Sequence, residues 1–333
     1  MRAVVQKQYG SPEVLQIEER PAPGVGPEDV LVRVSATPIT QGDRRLRSGE
    51  FGKLMALPGR LAMGFTGPRA DVPGSMFAGT VEAVGDKVTR FSVGERVFGC
   101  SMKGALAELL VIPQGGSVTH TPDNIDDATA AAAPYGAGTA HHFLANIAKL
   151  QAGEKVLVIG ATGGVGRFAV QIARHLGAEV TAVCRGAHRA LAERLGAHHV
   201  VEREQQDYRT LEARFDVVFD TSGTSRLSAC RSILSEGGRF LTLEMELPFV
   251  WDALWASLGS GPKALSGIST DTREDIERTA AFLADGVITP VVSAQRPMAS
   301  IQDAHRLVEA RASVGTVVVQ VGVAEARPLT VVG

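Results

Sequence analysis

Cysteine is scarce. Cys100, Cys184 and Cys230 are the three in a chain of 333 residues, too few and too far apart for a disulfide framework or a paired-cysteine zinc site. Aromatic residues make up only 5%. No apolar run nears the roughly 18 residues that a membrane-crossing helix requires; "FVWDALWASL" is short and carries Asp252. An excess of charge of either sign is missing too. Lys and Arg number 34 against 36 Asp and Glu, and the formal net charge of -2 gives no reason to expect nucleic acid or a membrane surface as partner. The opening "MRAVVQKQYG" lacks the apolar stretch of a signal peptide, so a cytoplasmic protein is expected. Glycine is plentiful, with 37 residues, and the apolar fraction of 44% over this length suffices for two cores.

Two textures divide the chain. Up to about residue 120 the sequence reads as strands bounded by Gly, Pro and Asp: "DVLVRVSAT" (29–37), "GTVEAVG" (79–85) and "ERVFGC" (95–100). "ALAELLVIP" (105–113) fits a strand, although its Ala and Leu leave a helix open. From about 125, the helix-forming "DDATAAAAPYGAGTAHHFLANIAKL" introduces an alternation of apolar runs and amphipathic stretches: 155–159, 165–176, 179–184, 187–195, 199–201, 215–220, 225–234 and 238–243. Such alternation predicts βαβ units and a parallel sheet. Strands return at 287–298 and 315–322, around a helical 300–311. The expected fold is α/β, a Rossmann doubly wound parallel sheet inserted in a β-rich domain. The first domain spans 1–122 and is completed by 288–333; the nucleotide-binding domain spans 123–287.

"KVLVIGATGGVGRFAVQIARHLGA" sets Gly160, Gly163, Gly164 and Gly166 between a strand and a helix. The spacing Gly160-x-x-Gly163-x-x-Gly166 is a variant of the dinucleotide fingerprint. Its glycines permit a tight turn and bring backbone N–H groups, here around Gly163, Gly164 and Val165, to a pyrophosphate at the positive end of a helix. The strand before, the helix after and the next strand, "AEVTAVCRG", supply the context that a lone glycine motif lacks. At the end of that second strand an acid would bind the ribose 2′-hydroxyl of NAD and repel a 2′-phosphate. Cys184-Arg185-Gly186 stands there instead, with His188 and Arg189 just beyond and Arg203 after the third strand. Arginine binds phosphate through bidentate, charge-assisted hydrogen bonds. NADPH is therefore the expected cofactor, with Arg185, His188 and Arg203 as its 2′-phosphate ligands; the alternative is that these are solvated surface cations. The pairs His141–His142 and His198–His199 point apart on a helix or strand and have no third ligand at a useful spacing, so no metal is expected.

Taken together, "YGSPEVLQIEERPAP", "FAGTVEAVGDKVTRFSVGERVFG" (77–99), "GAGTA" (136–140), the glycine block, "FDVVFDTSG" (215–223) and "LSEGGRFLTL" (234–243) carry a resemblance. The chain resembles the zinc-independent, quinone oxidoreductase-like branch of the medium-chain dehydrogenases/reductases over nearly its whole length. The resemblance implies a GroES-like catalytic domain around the Rossmann domain, and a homodimer. Zinc-dependent relatives carry cysteine, histidine and often cysteine at positions that are Thr40, Ser75 and Tyr135 here. The resemblance also puts Thr139 toward the nicotinamide, Thr221 and Ser222 under the cofactor, and Leu243 after the next strand. It lines the cleft with "TPITQGDRRLRSGEF", Ser75-Met76 and Tyr135. Thr40, Arg45 and Tyr135 are the candidate catalytic donors, because Phe51 stands where enoyl-thioester reductases carry a tyrosine proton donor. Asp43 and Arg47 match the family's Asp and Arg, with an internal ion pair as the plain alternative to catalysis. Gly315-Thr316 replaces the Gly-Lys of relatives. Trp251 and Trp255, four apart, share a helix face that would line an apolar pocket or a dimer contact. The expected activity is NADPH-dependent, metal-free hydride transfer to an α,β-unsaturated carbonyl (enal or enone) or a quinone, with a small apolar carbonyl compound or quinone as partner. The alternatives are a biosynthetic enoyl reductase on one pathway intermediate, or a nucleotide-binding protein of this fold with a non-redox or structural role.

Overall fold

Val-rich runs broken by Gly, Pro and Asp pair into sheets in the first part of the chain. The computed structural model describes residues 1–52, 56–101, 103–257, 259, 261–311 and 314–322. The side chains of Pro248, Trp255 and Ser257 lie outside the described set, and the expectation for the Trp255 side chain with them. Strands β1 (Arg2–Gln6) and β2 (Leu15–Glu19) form an antiparallel pair. Then come β3 (Asp29–Ile39), helices α1 (Gln41–Ser48) and α2 (Ala56–Met63), and β4 (Met76–Val84), β5 (Arg96–Cys100), β6 (Leu109–Pro113) and β7 (Val118–His120). The run 105–113 is thus strand only in its second half.

Helices α3 (Asp127–Ala132) and α4 (Pro134–His141) follow, the latter running into a π-helical turn over His142–Ile147. Next are β8 (Lys155–Ile159), α5 (Gly166–His175), β9 (Glu179–Cys184), α6 (Arg189–Arg194), β10 (His199–Glu202) and β11 (Phe215–Asp220). The chain continues through α7 (Leu227–Cys230), β12 (Leu234–Thr242), α8 (Leu247–Ser257), β13 (Lys263–Leu265) and α9 (Arg273–Ala284), and returns to the first sheet with β14 (Val292–Pro297), α10 (Ile301–Glu309) and β15 (Thr316–Gln320).

Strands β8 to β13 make a parallel sheet in the order β10-β9-β8-β11-β12-β13. Counted from β8, this is the 3-2-1-4-5-6 order of a doubly wound dinucleotide fold, with its switch point between β8 and β11. Four of the five residues of β8 are buried, as expected of a strand covered on both faces, and such strands read as unbroken apolar runs. In the other sheet β3 is the hub. It pairs antiparallel with β4, with β6 over Asp29–Arg33 and with β15 over Ala36–Ile39. The α3 helix starts at Asp126, whose side chain accepts the Thr129 N–H at 2.7 Å, and Pro134 separates it from α4. The buried alanines Ala130 to Ala133 let both sheets close on these helices, so one apolar cluster runs from Met76 and Phe98 through the alanines to Val156 and Val180.

Two boundaries differ from expectation. The stretch 225–234 is only partly helical, with α7 followed by a 3-10 turn over Arg231–Ile233, and β12 begins at Leu234 rather than 238. The buried Asp220 explains the late start of the helix. Its carboxylate accepts N–H groups from Ser222 at 2.9 Å, Gly223 at 3.1 Å and Ser225 at 2.7 Å, fixing a loop where the pattern alone reads helix. Among the described residues, no helix is long and apolar enough to cross a membrane.

Between α1 and α10 lies a buried histidine. His305 is 1% exposed and neither ring nitrogen has a partner among the described residues. Burial first, and then the Arg47 guanidinium, hold its pKa down to about 3 from an ordinary 6.5. The folded protein excludes a proton that the unfolded chain takes up, so this stability is complete above pH 6.5 and is lost as pH falls toward 3. Thermal or denaturant unfolding should show a loss of about 1.4 kcal/mol per pH unit below 6.5 from this group. His305→Leu should flatten that slope between pH 6.5 and about 5. Equal slopes for the two proteins would refute this account.

Candidate functional site

The glycine turn lies at the switch point. Gly160 has φ +77°, and a Cβ on Gly166 would overlap the Gly160 carbonyl. The N–H of Gly163 bonds to the Gly160 carbonyl at 2.8 Å, and the Thr221 hydroxyl donates to the Ile159 carbonyl at 2.9 Å and to that of Gly160 at 3.2 Å. The N–H groups of Gly164 and Val165 donate to nothing within the described residues, and the space over Gly164 is open to 4 Å. Free amides at the start of the ten-residue α5 fit the pyrophosphate of a dinucleotide. Thr221 and Ser222 both stand here, but their hydroxyls are committed within the chain. Ser222 Oγ donates to Asp220 at 2.7 Å and bonds Thr224 at 2.7 Å. Leu243 packs half-buried on the core, and the Thr139 hydroxyl donates to the Tyr135 carbonyl at 2.7 Å.

At the end of β9, Arg185 is exposed and has no ion-pair partner among the described residues. His188 Nδ1 is 3.3 Å from the hydroxyl of Thr162 in the glycine turn, and Arg203 Nε is 3.3 Å from Glu204. The expectation that no acid competes at this strand end needs correction. The Glu204 carboxylate accepts the Gly186 N–H at 3.0 Å, and Glu202 Oε2 lies 2.7 Å from where a Gly186 Cβ would stand. Both acids arrive from the neighbouring strand. The Gly186 bond holds the Glu204 carboxyl below its ordinary range, so it is ionised at neutral pH.

The third group surrounds Tyr135. Thr40 caps α1: its hydroxyl donates to Asp43 Oδ2 at 2.6 Å and accepts the Asp43 N–H at 3.2 Å, while its own N–H reaches Asp43 Oδ2 at 2.8 Å. Burial pushes the Asp43 carboxyl up against the pull of these bonds. Arg45 forms an ion pair with Glu244, which follows β12, and so links the two parts of the molecule. The Tyr135 ring packs on α1 so closely that a Cβ on Gly42 would be 3.4 Å from the ring and 3.6 Å from its oxygen. Burial first, then Asp43, push the phenol pKa up, and Arg45 opposes them. Among the described residues the Tyr135 hydroxyl has no hydrogen-bond partner. Nearby, Cys100 Sγ is 3.6 Å from Asp271 Oδ2, and the Ser117 hydroxyl donates to the Asp271 carbonyl at 2.5 Å.

The structure therefore brings Thr40, Arg45 and Tyr135 together and adds Asp43, Glu244 and Asp271 to them. Glu244 could have been suspected from its place beside Leu243, whereas nothing in the sequence marked Asp271. Asp43 and Arg47 do not pair with each other; Arg47 is buried and pairs with Glu309 of α10. Phe51 meets Tyr9 edge-on, with ring centres 5.9 Å apart. Thr316 receives a hydrogen bond at 2.5 Å from the buried Arg167. Among the described residues no three His, Cys, Asp or Glu side chains converge as a metal site.

A dinucleotide-binding type of parallel sheet joined to a β-rich domain, with a glycine turn at the switch point, is the class these features define. Residues 26–123 match the family described as alcohol dehydrogenase GroES-like domain, and residues 195–319 match that described as zinc-binding dehydrogenase. The chain is 30% identical to a human (Homo sapiens) quinone oxidoreductase over 92% of this chain and 93% of that protein. It is 26% identical to an NADPH-dependent alkenal/one oxidoreductase of Arabidopsis thaliana chloroplasts, over 96% of this chain and 79% of that one. The solved quinone oxidoreductase from Coxiella burnetii superposes with a TM-score of 0.82 at 21% identity, covering 96% of this chain and 99% of the other. The chain belongs to the medium-chain dehydrogenase/reductase superfamily, as a quinone oxidoreductase-like member.

All three thiols are buried, and burial is the first cause of the raised pKa of each, to about 11 for Cys230. An aromatic disulfide reagent at neutral pH should find no reactive thiol in the native protein and three after unfolding. Stoichiometric labelling of the native protein would contradict the packing around Cys100 and Asp271.

Proposed function

We propose that this protein is an NADPH-dependent reductase of α,β-unsaturated carbonyl compounds and quinones. The observation that carries this reading is the Tyr135 phenol, which is protonated, free at its hydroxyl and set beside Arg45. The cofactor would be held by the amides of Gly164 and Val165 and, at its 2′-phosphate, by Arg185; when bound, nicotinamide supplies a hydride for an electron-poor carbon. The chain's own groups then answer the negative charge that develops on the substrate oxygen. The Tyr135 O–H donates to that oxygen and the Arg45 guanidinium adds a positive field. Proton transfer from Tyr135 completes a saturated carbonyl after tautomerisation, or a hydroquinone when the acceptor is a quinone, and solvent restores the phenol. The Thr40–Asp43 box keeps α1, and with it Arg45, in register with the ring. Similarity to the human quinone oxidoreductase and to the Arabidopsis NADPH-dependent alkenal/one oxidoreductase supports this choice of acceptors. A homodimer belongs to the same reading, supported by the exposed Leu247, Val250 and Trp251 along one face of α8, beside the edge strand β13.

Loss of nicotinamide absorbance is the direct assay, with a 2-alkenal, a cyclic enone, an ortho-quinone and no acceptor compared. Acceptor-dependent oxidation of NADPH is expected. Tyr135→Phe should lower kcat about a hundredfold while KM moves by no more than about threefold. Unchanged kcat in that variant would remove Tyr135 from the chemistry, and silence with every acceptor would refute the reductase reading.

A further inference from the structure

The ends of β9 and β10 meet in a corner where three arginines, Arg185, Arg189 and Arg203, stand among three glutamates, Glu193, Glu202 and Glu204. In a doubly wound sheet, the end of the second strand is where the adenosine ribose of a dinucleotide lies. A carboxylate there accepts hydrogen bonds from ribose hydroxyls and repels a 2′-phosphate, and arginine does the reverse. The two acids nearest this point differ in how firmly they are held. Glu202 is fixed by Arg189 at 2.9 Å and by the Gln205 amide at 2.5 Å. Glu204 is half exposed, and among the described residues it is retained by a 3.3 Å contact with Arg203, by the Gly186 N–H at 3.0 Å and by its own backbone N–H. Such exposed contacts cost little to break. Of these donors, the Gly186 N–H and the guanidinium are those that a phosphate oxygen would take. Strand pairing fixes this placement, because the Arg203 N–H bonds to the Cys184 carbonyl at 3.0 Å and so delivers residue 204 beside residue 186.

Resting on the nucleotide-binding reading above, we propose that Glu204 is a built-in occupant of the 2′-phosphate subsite and sets the cofactor selectivity of this chain. NADPH binds by displacing the Glu204 carboxylate from the Gly186 N–H and Arg203, with Arg185 as the cation already free to receive the phosphate. NADH leaves Glu204 in place and uses it as acceptor for the ribose hydroxyls. The protein thus works with NADPH yet also binds NADH, because Glu204 holds down the advantage that Arg185 gives to NADPH.

Calorimetric titration of the full chain tests this without turnover, using NADPH, NADH, adenosine 2′,5′-bisphosphate and adenosine 5′-monophosphate. The wild type should bind NADPH and NADH within about tenfold of each other. Glu204→Gln should tighten NADPH and the bisphosphate about tenfold while NADH and the monophosphate hold or weaken. Glu204→Ala should do the same, which shows that charge rather than the new amide is responsible. Arg185→Ala should weaken the bisphosphate about tenfold and spare the monophosphate. Changes of equal size for all four ligands, or none, in the Glu204 variants would overturn the assignment and leave nucleotide binding intact. Failure of the wild type to bind any of the four would instead bring down the nucleotide-binding reading, and the proposal with it.

Discussion

A single contact between backbone atoms fixes much of this molecule. Gly166, the first residue of α5, lies against the carbonyl of Gly160 with no room for a side chain between them. That contact seats the helix on β8, the central strand, and aims its first amides at the switch point. The Thr221 hydroxyl closes the same turn from β11, so both strands flanking the switch point are tied to one loop. A larger residue at 166 would push the helix away from the sheet, and the free amides of Gly164 and Val165 would lose their common direction.

The second organising feature is the seam between the sheets. Alanines on α3 and α4 make it thin, and polar links stitch its rim: Arg96 to Asp127 at 2.8 Å, Arg90 to Glu277 at 3.0 Å, and Ser117 and Cys100 to Asp271. Tyr135 stands at this seam. Side chains from α1, α4 and the segment after β12 meet around it, which is why a phenol, a carboxyl and an ion pair far apart in sequence share one place.

The alternation that marks the parallel sheet was legible because β8, β9 and β11 are covered on both faces and therefore read as unbroken apolar runs. The glycine turn was legible because its spacing reports a steric requirement. The 2′ corner was misread for a physical reason. Whether an acid reaches the end of β9 depends on which strand lies beside it and in what register, and the pairing of Glu202 with Cys184 is a property of the sheet rather than of either segment. Asp271 was invisible for the same kind of reason, since its neighbours Cys100 and Ser117 belong to the other sheet. The extent of α7 was overread because its pattern competes with the hydrogen bonds of Asp220, which periodicity does not register.

Strand β3 pairs with β15, so the sheet that begins near residue 29 is completed by residues near 320. During synthesis the ribosome releases β3, β4 and β6 long before their last partner exists. The nascent first domain then carries an open strand edge while the entire nucleotide-binding unit is being made. All six strands of the parallel sheet leave the ribosome in that interval, and the pairing of β3 with β15 can form only after them. The two ends of the chain therefore meet last, although translation runs from one end.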